Sequence, residues 1–232
     1  MSAAYGNDSN IGRLISEIRT LNLTWEEYLN EIKNDLNHDY KRRIQVIQIS
    51  TELFFQYKHF HQMPLQARKF IAGIPPASHE NEYPEIIWAY FGSMKGAGYF
   101  KQAIINNNEN ISIALDQIPL SGQVTKQYYL NFWDYYAKPP LSDTSLGTAT
   151  RLLCMKRPDI FICFNSKNEA NLCDDFGIPY LNKNKDRYWT KIIERIFDSN
   201  WWNNTKPNVE DEDEIIISNA RAAFLDSIFY ER

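Results

Sequence analysis

The chain has 232 residues, with 44% hydrophobic and 14% aromatic side chains and a formal net charge of −4 at pH 7. This length allows one large domain or two small lobes with a sizeable buried core. The negative net charge argues against a protein that binds nucleic acid through its overall charge, so such binding would have to use a local basic patch.

Three cysteines, Cys154, Cys163 and Cys173, lie in or beside apolar segments. Their odd number and the lack of a CxxC motif predict buried free thiols in a reducing compartment. Three thiols also cannot supply the four ligands of an iron–sulfur cluster. His59 and His61 do not share a helical face, so a zinc site is not expected either. We therefore predict no metal and no cofactor.

The first residues, MSAAYGNDSN, contain no basic region and no apolar run, and no later stretch is apolar over the length of a membrane span. Signal peptides and membrane helices require such segments. The sequence therefore predicts a cytoplasmic protein without a membrane anchor, and we expect it to be a monomer.

Apolar residues at helical spacing predict helices throughout the first part of the chain. The predicted elements are an amphipathic helix at Ile11–Ile18, a helix behind the capping box Thr24-Trp25-Glu26-Glu27, a long helix from about Asp39 to His61, and a helix from Pro64 to Ile71. Pro75-Pro76 and the polar residues after them predict a loop, and we place a border between two lobes near 75–83.

The stretch Glu85–Ile104 carries three glycines within seven residues, at Gly92, Gly96 and Gly98. Glycine permits tight turns and close approach of the backbone to another group. The same stretch contains the aromatic and basic side chains Trp88, Tyr90, Phe91 and Lys95. This pattern is equally typical of a pocket wall or phosphate-contacting loop and of helices packed closely through glycine.

Residues 124–138, VTKQYYLNFWDYYAK, predict an aromatic helix that ends before Pro139-Pro140. Four aromatic residues share one face of this helix: Tyr128, Phe132, Tyr135 and Tyr136. We interpret this face as part of the core and not as a surface for stacking bases. Later helices are predicted at Arg187–Phe197 and Ile215–Tyr230, with Trp201-Trp202 in a loop that folds back on the core. No run of alternating apolar residues suggests a strand, so the predicted fold class is all-α.

A turn–helix–turn–helix pattern occupies Leu141–Ile178. Turn and N-cap residues, followed by Gly147, precede an apolar helix that Pro158 limits. The apolar run Ile160–Phe164 then leads to Asn165-Ser166, which we interpret as the N-cap pair of a helix through Leu172. Gly177 predicts the C-terminal stop of that helix.

This stretch resembles the helix-hairpin-helix DNA glycosylases in the order Gly147-Thr148-Ala149, apolar helix, Arg157-Pro158-Asp159, apolar run and polar helix start. The resemblance covers Leu141–Leu172. It implies two helical lobes around a cleft, and double-stranded DNA with a modified base as the partner. In that family the hairpin grips the DNA backbone, and an aspartate stands where Asn165 stands here.

The resemblance also implies site residues. Backbone N–H groups at the start of the hairpin helix would hold a DNA phosphate. The implied DNA-binding residues are Ser145, Leu146, Gly147, Thr148, Ala149 and Arg151. The implied pocket for an extruded base is lined by Trp88, Tyr90, Phe91 and Lys95. No lysine occurs in Gly147–Leu153, which implies a monofunctional glycosylase.

Asn165 departs from the family pattern, because an amide carries no charge and is a poor base. Three interpretations are open: an inactivating Asp→Asn change, catalysis by another carboxylate, and binding without cleavage. We favour the first because the surrounding pattern is intact. Asn165 as a helix N-cap is compatible with each of them.

The leading function is therefore a DNA N-glycosylase. Bacterial anti-phage glycosylases, which remove glucosylated hydroxymethylcytosine, are the functional group that we consider most similar. The alternative is a non-catalytic reader of modified or damaged DNA, in which Asn165 is native. A helical scaffold for protein partners is a third class.

Overall fold

The computed structural model describes residues 19–34, 39–76, 87–142 and 145–230. Within these ranges every regular element is a helix, which confirms the all-α class. The helices are α1 (Arg19–Asn22), α2 (Trp25–Asn34), α3 (Tyr40–Gln56), α4 (Leu65–Ile71), α5 (Gly98–Ile105), α6 (Glu109–Asp116), α7 (Lys126–Tyr136), α8 (Leu146–Lys156), α9 (Glu169–Asp175), α10 (Lys185–Arg187), α11 (Glu194–Asp198), α12 (Asn200–Asn203), α13 (Glu212–Asn219) and α14 (Arg221–Phe229). Short 3-10 turns occupy Phe60–Gln62 and Ile87–Ala89, and a π-helical segment, Tyr188–Ile193, joins α10 to α11.

Two predicted helix starts are confirmed. The Thr24 N–H donates to Glu27 Oε2 at 2.8 Å, and the Glu27 N–H donates to Thr24 Oγ1 at 3.2 Å. This reciprocal capping box opens α2, because it satisfies two N–H groups that the first turn leaves without helical partners. Pro64 precedes α4, and α4 ends at Ile71 as the sequence predicts.

Three predicted boundaries are wrong. Helix α3 ends at Gln56 instead of His61, because Tyr57 is extended. The last predicted helix is divided into α13 and α14 at Ala220, and the Ala223 N–H donates to Pro158 O at 2.8 Å. The second helix of the hairpin begins at Glu169, because residues 165–168 form a turn instead of the first helical residues.

The aromatic helix α7 packs into the core as expected, but through a different face. Its buried residues are Tyr129, Phe132, Trp133 and Tyr136. Tyr128 is 42% exposed, so the prediction that it lies on the buried face is wrong. The buried set follows the i, i+3, i+4, i+7 spacing of one helical face, counted from Tyr129.

The paired tryptophans fold back on the core, which confirms that expectation. Trp201 is fully buried, and its ring stacks on Tyr28 with the centroids 4.1 Å apart. It lies in the short helix α12, so the predicted loop at this position is wrong. Nearby, the predicted helix at Arg187–Phe197 is present as α10, the π-helical segment and α11.

Helix α8 is the most enclosed element of the fold. Ten of its eleven residues are buried, and it contacts α3, α4 and α6. The cysteines Cys154, Cys163 and Cys173 are all buried and free, as the sequence predicts. The buried apolar side chains form one cluster that extends from Leu21 to Phe229.

The predicted helix at Ile11–Ile18 lies outside the described residues, as does most of the polar stretch at 75–83. The border between two lobes therefore stays a prediction. In the part of the chain that the structure describes, no helix has the length and apolar character needed to cross a membrane.

Candidate functional site

A cleft of about 700 Å³ lies between the glycine-containing segment and the hairpin. One wall is formed by Ser93, Met94, Ala97, Gly98, Tyr99 and Phe100. The opposite wall is formed by Leu141, Ser142, Ser145, Leu146, Gly147 and Thr148 at the start of α8, and by Phe164, Asn165, Ser166 and Glu169. The cleft therefore brings together Asn165 and four of the six predicted DNA-binding residues.

Two helices begin at this cleft. Helix α8 starts at Leu146 and α5 starts at Gly98, and neither has a side-chain cap. The first turn of a helix carries N–H groups without helical partners and a partial positive charge, so both starts favour an anionic group. At Gly147 an added Cβ would lie 3.3 Å from Phe164 O, which leaves this turn narrow on its inner side.

Asn165 shapes the turn between the apolar run and α9. Its Oδ1 accepts the Lys167 N–H at 2.8 Å, and its carbonyl accepts the Glu169 N–H at 2.9 Å. Its Nδ2 lies 3.9 Å from Cys163 Sγ. These contacts are those of an Asx turn, in which an asparagine side chain replaces one backbone acceptor. The amide oxygen is therefore used by the fold.

A buried network of polar side chains fixes this turn on its interior side. Asn168 is fully buried, and its Nδ2 donates to Cys163 O at 2.6 Å and to Asp226 Oδ1 at 2.5 Å. Asp226 Oδ2 accepts from Arg43 Nη1 at 2.5 Å. The Asn168 Oδ1 in turn accepts the Asn165 N–H at 2.9 Å. The network thus connects the turn to α3 and α14.

Thr150 ties the hairpin helix to the same turn. Its Oγ1 accepts the Phe164 N–H at 3.0 Å, which fixes the end of the apolar run against α8. Burial raises the pKa of the neighbouring Cys163 thiol to about 12, and the charge of Asp226 adds to this effect. The thiol is therefore protonated at neutral pH and behaves as an apolar group.

Glu169 is a cleft residue that the sequence reasoning missed. It is half-buried and is the first residue of α9. Within the described residues its carboxylate has no hydrogen bond and no ion pair. The sequence feature that could have indicated Glu169 is its position four residues after Asn165, where a turn brings both residues to the same opening.

Lys183, an exposed residue with φ 59°, adds a cation to the cleft.

Arg151 does not take the predicted DNA-binding role. The side chain is fully buried, and it donates to the carbonyl groups of Ile71 at 2.9 Å and Phe70 at 3.2 Å. It also donates to the carbonyls of Trp88 and Tyr90. These four acceptors hold its guanidinium inside the protein, where a phosphate cannot reach it. Ala149 is also buried, and its N–H donates to Ser145 O at 3.0 Å, so it is not available to DNA either.

The predicted base-pocket residues are not brought to the cleft. Phe91 is fully buried and makes an edge contact with Phe224, with the centroids 5.9 Å apart. The Tyr90 ring lies 5.6 Å from the Arg43 guanidinium instead of facing the cleft. Trp88 packs near Phe70 at another small pocket. Lys95 is exposed and does not line the cleft. The structure thus does not bring these four residues to the cleft, whose aromatic lining consists of Tyr99, Phe100 and Phe164.

A second groove, of about 640 Å³, lies at the opposite end of α8. Its lining includes Phe55, which is 91% exposed, and Leu120. Lys156 also lines it and donates to Leu115 O at 2.6 Å. Burial lowers the pKa of Lys156 from its ordinary value of 10.5 to about 8.

Comparisons with known proteins give no match. No family model and no curated protein matches the sequence, and no solved structure matches the fold. The functional proposal therefore depends on the residues and the geometry of the cleft.

Proposed function

We propose that this protein is a monofunctional DNA N-glycosylase that accepts an extruded base in the cleft. The observation that carries the proposal is that Asn165 and the uncapped start of α8 line the same opening. In the hairpin arrangement that the sequence resembles, the start of the hairpin helix binds a phosphate and the residue at the position of Asn165 faces the sugar.

The size and lining of the cleft support a nucleotide ligand. Its volume of about 700 Å³ lies within the range of small-molecule sites. Tyr99, Phe100 and Phe164 provide aromatic surface beside the opening, and planar bases stack on such rings. An enzyme must turn the target nucleotide out of the duplex before its glycosidic bond can be reached, and the base then needs a pocket of this kind.

DNA binding would depend on backbone groups and not on Arg151. The N–H groups of the first turn of α8 can donate hydrogen bonds to a phosphate without a cationic side chain, because the helix end supplies both donors and partial positive charge. This mode is compatible with a net charge of −4, since it needs no large basic surface. Lys183 is the cation that lines the cleft within the described residues, and we assign it to a neighbouring phosphate.

The proposal is tested by incubating the protein with duplexes that contain normal, alkylated, uracil or glucosylated hydroxymethylcytosine bases. The glucosylated duplex is included because of the resemblance to anti-phage glycosylases. Alkali-labile abasic sites on one of these duplexes, without strand cleavage before alkali, are the expected result. No abasic site on any duplex, from the wild-type protein or from Asn165→Asp, would refute the proposal.

The alternative function is a reader of modified or damaged DNA. One observation favours it: the Asn165 amide oxygen already accepts the Lys167 N–H at 2.8 Å, so this residue cannot itself act as a base. Binding that is at least tenfold tighter to one modified duplex than to its unmodified control, with no release of base, would support the reader.

A further inference from the structure

We propose, resting on the function above, that Glu169 is the catalytic carboxylate of the cleft and that Asn165 positions it. Both residues line the cleft, and Glu169 begins α9 directly after the turn that Asn165 forms. Within the described residues the Glu169 carboxylate makes no hydrogen bond and no ion pair. The fold therefore leaves this carboxylate available to a ligand.

Asn165 acts on Glu169 through the backbone. The Asn165 carbonyl accepts the Glu169 N–H at 2.9 Å, and the Asn165 side chain closes the turn through the Lys167 N–H at 2.8 Å. An asparagine suits this position because Asx turns use its short polar side chain. Asparagine and aspartate both make Asx turns, so the turn accounts for a short polar side chain at this position without requiring a lost aspartate.

The first turn of α9 is held rigidly, as a catalytic group requires. Asn168 immediately precedes Glu169, and its buried side chain donates to Asp226 at 2.5 Å. Asp226 is in turn paired with the buried Arg43. The backbone of Glu169 directly follows this anchor, on the same wall of the cleft as the start of α8.

The reaction requires one carboxylate and one water molecule. Water attacks C1′ of the sugar as the C1′–N bond breaks, and the electron pair of that bond leaves with the base. Glu169 faces the positive charge that develops on the sugar and accepts the proton that the attacking water loses. That proton passes to solvent, and the departing base takes up a proton from solvent, so the balance is one water consumed.

The experiment compares the wild-type protein with Glu169→Gln, Glu169→Asp and Asp174→Asn in single-turnover excision on the panel of four duplexes. Asp174 is the matched control, because it is an exposed acid on α9 that does not line the cleft. We expect Glu169→Gln to lose about 10²–10⁴-fold in rate, Glu169→Asp to retain part of the activity, and Asp174→Asn to be unchanged.

Two further readouts separate a catalytic role from a structural one. Fluorescence anisotropy should give the same DNA affinity for Glu169→Gln as for the wild type. The melting temperature of Glu169→Gln should also match that of the wild type, because a catalytic carboxylate that makes no hydrogen bond and no ion pair within the described residues contributes little to the fold.

The outcomes distinguish this proposal from the function on which it rests. Wild-type excision that Glu169→Gln leaves intact overturns the role of Glu169 and keeps the glycosylase. An inert wild type with an active Asn165→Asp variant also overturns it, because the acting carboxylate then belongs at position 165. If the wild type and Asn165→Asp both release no base from any duplex, both proposals fall.

Discussion

Asn168 donates from Nδ2 to Asp226 Oδ1 at 2.5 Å, and both side chains are fully buried. This bond joins two segments that are far apart in sequence, the hairpin turn and the last helix. Arg43 adds a third segment by its pair with Asp226. The turn that carries Asn165 and Glu169 is therefore anchored at its inner side by charge-assisted hydrogen bonds, which are stronger than those between neutral groups.

Asp226→Ala should lower the free energy of unfolding by about 3–5 kcal/mol, because it leaves Arg43 as an uncompensated charge in the interior. Urea denaturation followed by tryptophan fluorescence measures the change. Asp213→Ala is the control, since the pair of Asp213 with Lys41 is on the surface and its loss should have little effect. An equal loss in both variants would contradict the anchoring role of Asp226.

Gly92→Ala should destabilise the protein by about 1–3 kcal/mol, because Gly92 has φ 97° and an added Cβ would lie 2.9 Å from Cys163 Sγ. The change should also displace the adjacent turn and slow base excision. Gly96→Ala is the matched control, since no atom lies within 4 Å of its added Cβ and its φ is not in the positive region. Equal melting temperatures for the two variants would show that the close approach at Gly92 is unimportant.

Tyr99→Ala should weaken DNA binding without altering stability. Tyr99 is 78% exposed at the cleft, and loss of stacking on one base weakens binding by about 1–3 kcal/mol. Phe55→Ala removes an even more exposed ring from the groove at the other end of α8 and should leave DNA affinity unchanged. Fluorescence anisotropy on a labelled duplex compares the two variants, and equal effects would place the DNA elsewhere.

Gly147→Leu should reduce DNA affinity at least tenfold, because an added Cβ lies 3.3 Å from Phe164 O and a bulky side chain must displace the first-turn N–H groups that would hold the phosphate. Wild-type affinity should fall with rising salt, and the slope of log affinity against log salt reports the number of phosphates engaged. Ser121→Leu, in the distant groove, is the control. Salt-independent binding, or no effect of Gly147→Leu, would argue against this contact.

Lys156 should contribute a pH dependence to stability. Its folded pKa of about 8 lies below the ordinary 10.5, so the folded state releases the proton first as the pH rises. Stability of the wild type relative to Lys156→Met should therefore increase between pH 8 and 10.5, by up to about 1.4 kcal/mol per pH unit. The comparison removes the opposite trend of the buried thiols. A stability difference that is constant with pH would mean that Lys156 titrates normally.

Local sequence signals predicted the helices well. The capping box at Thr24, the helix after Pro64 and the stop at Gly177, which has φ 58°, depend on contacts or conformations within a few residues. The burial of Trp201 was also predictable, because such a large apolar ring is rarely left in solvent.

The candidate site was harder to predict, because it depends on contacts between distant segments. Arg151 has the same sequence signature whether it faces a phosphate or, as here, carbonyl groups 80 residues away at Ile71. The sequence predicts a base pocket that includes Tyr90 and Phe91. In the structure the chain turns at Phe91 and Gly92, both of which have positive φ, and Tyr99 lines the cleft instead. Glu169 was overlooked because only the folded turn places it beside Asn165.

The burial of α8 should determine how fast its amide hydrogens exchange with solvent. With ten of eleven residues buried, the amide hydrogens beyond the first turn of α8 should exchange with deuterium only through global unfolding. Gly98 and Tyr99, which are exposed on the cleft wall that does not contain α8, should exchange through small local openings. One side of the cleft should therefore belong to the most slowly exchanging helix, while the other side should exchange faster.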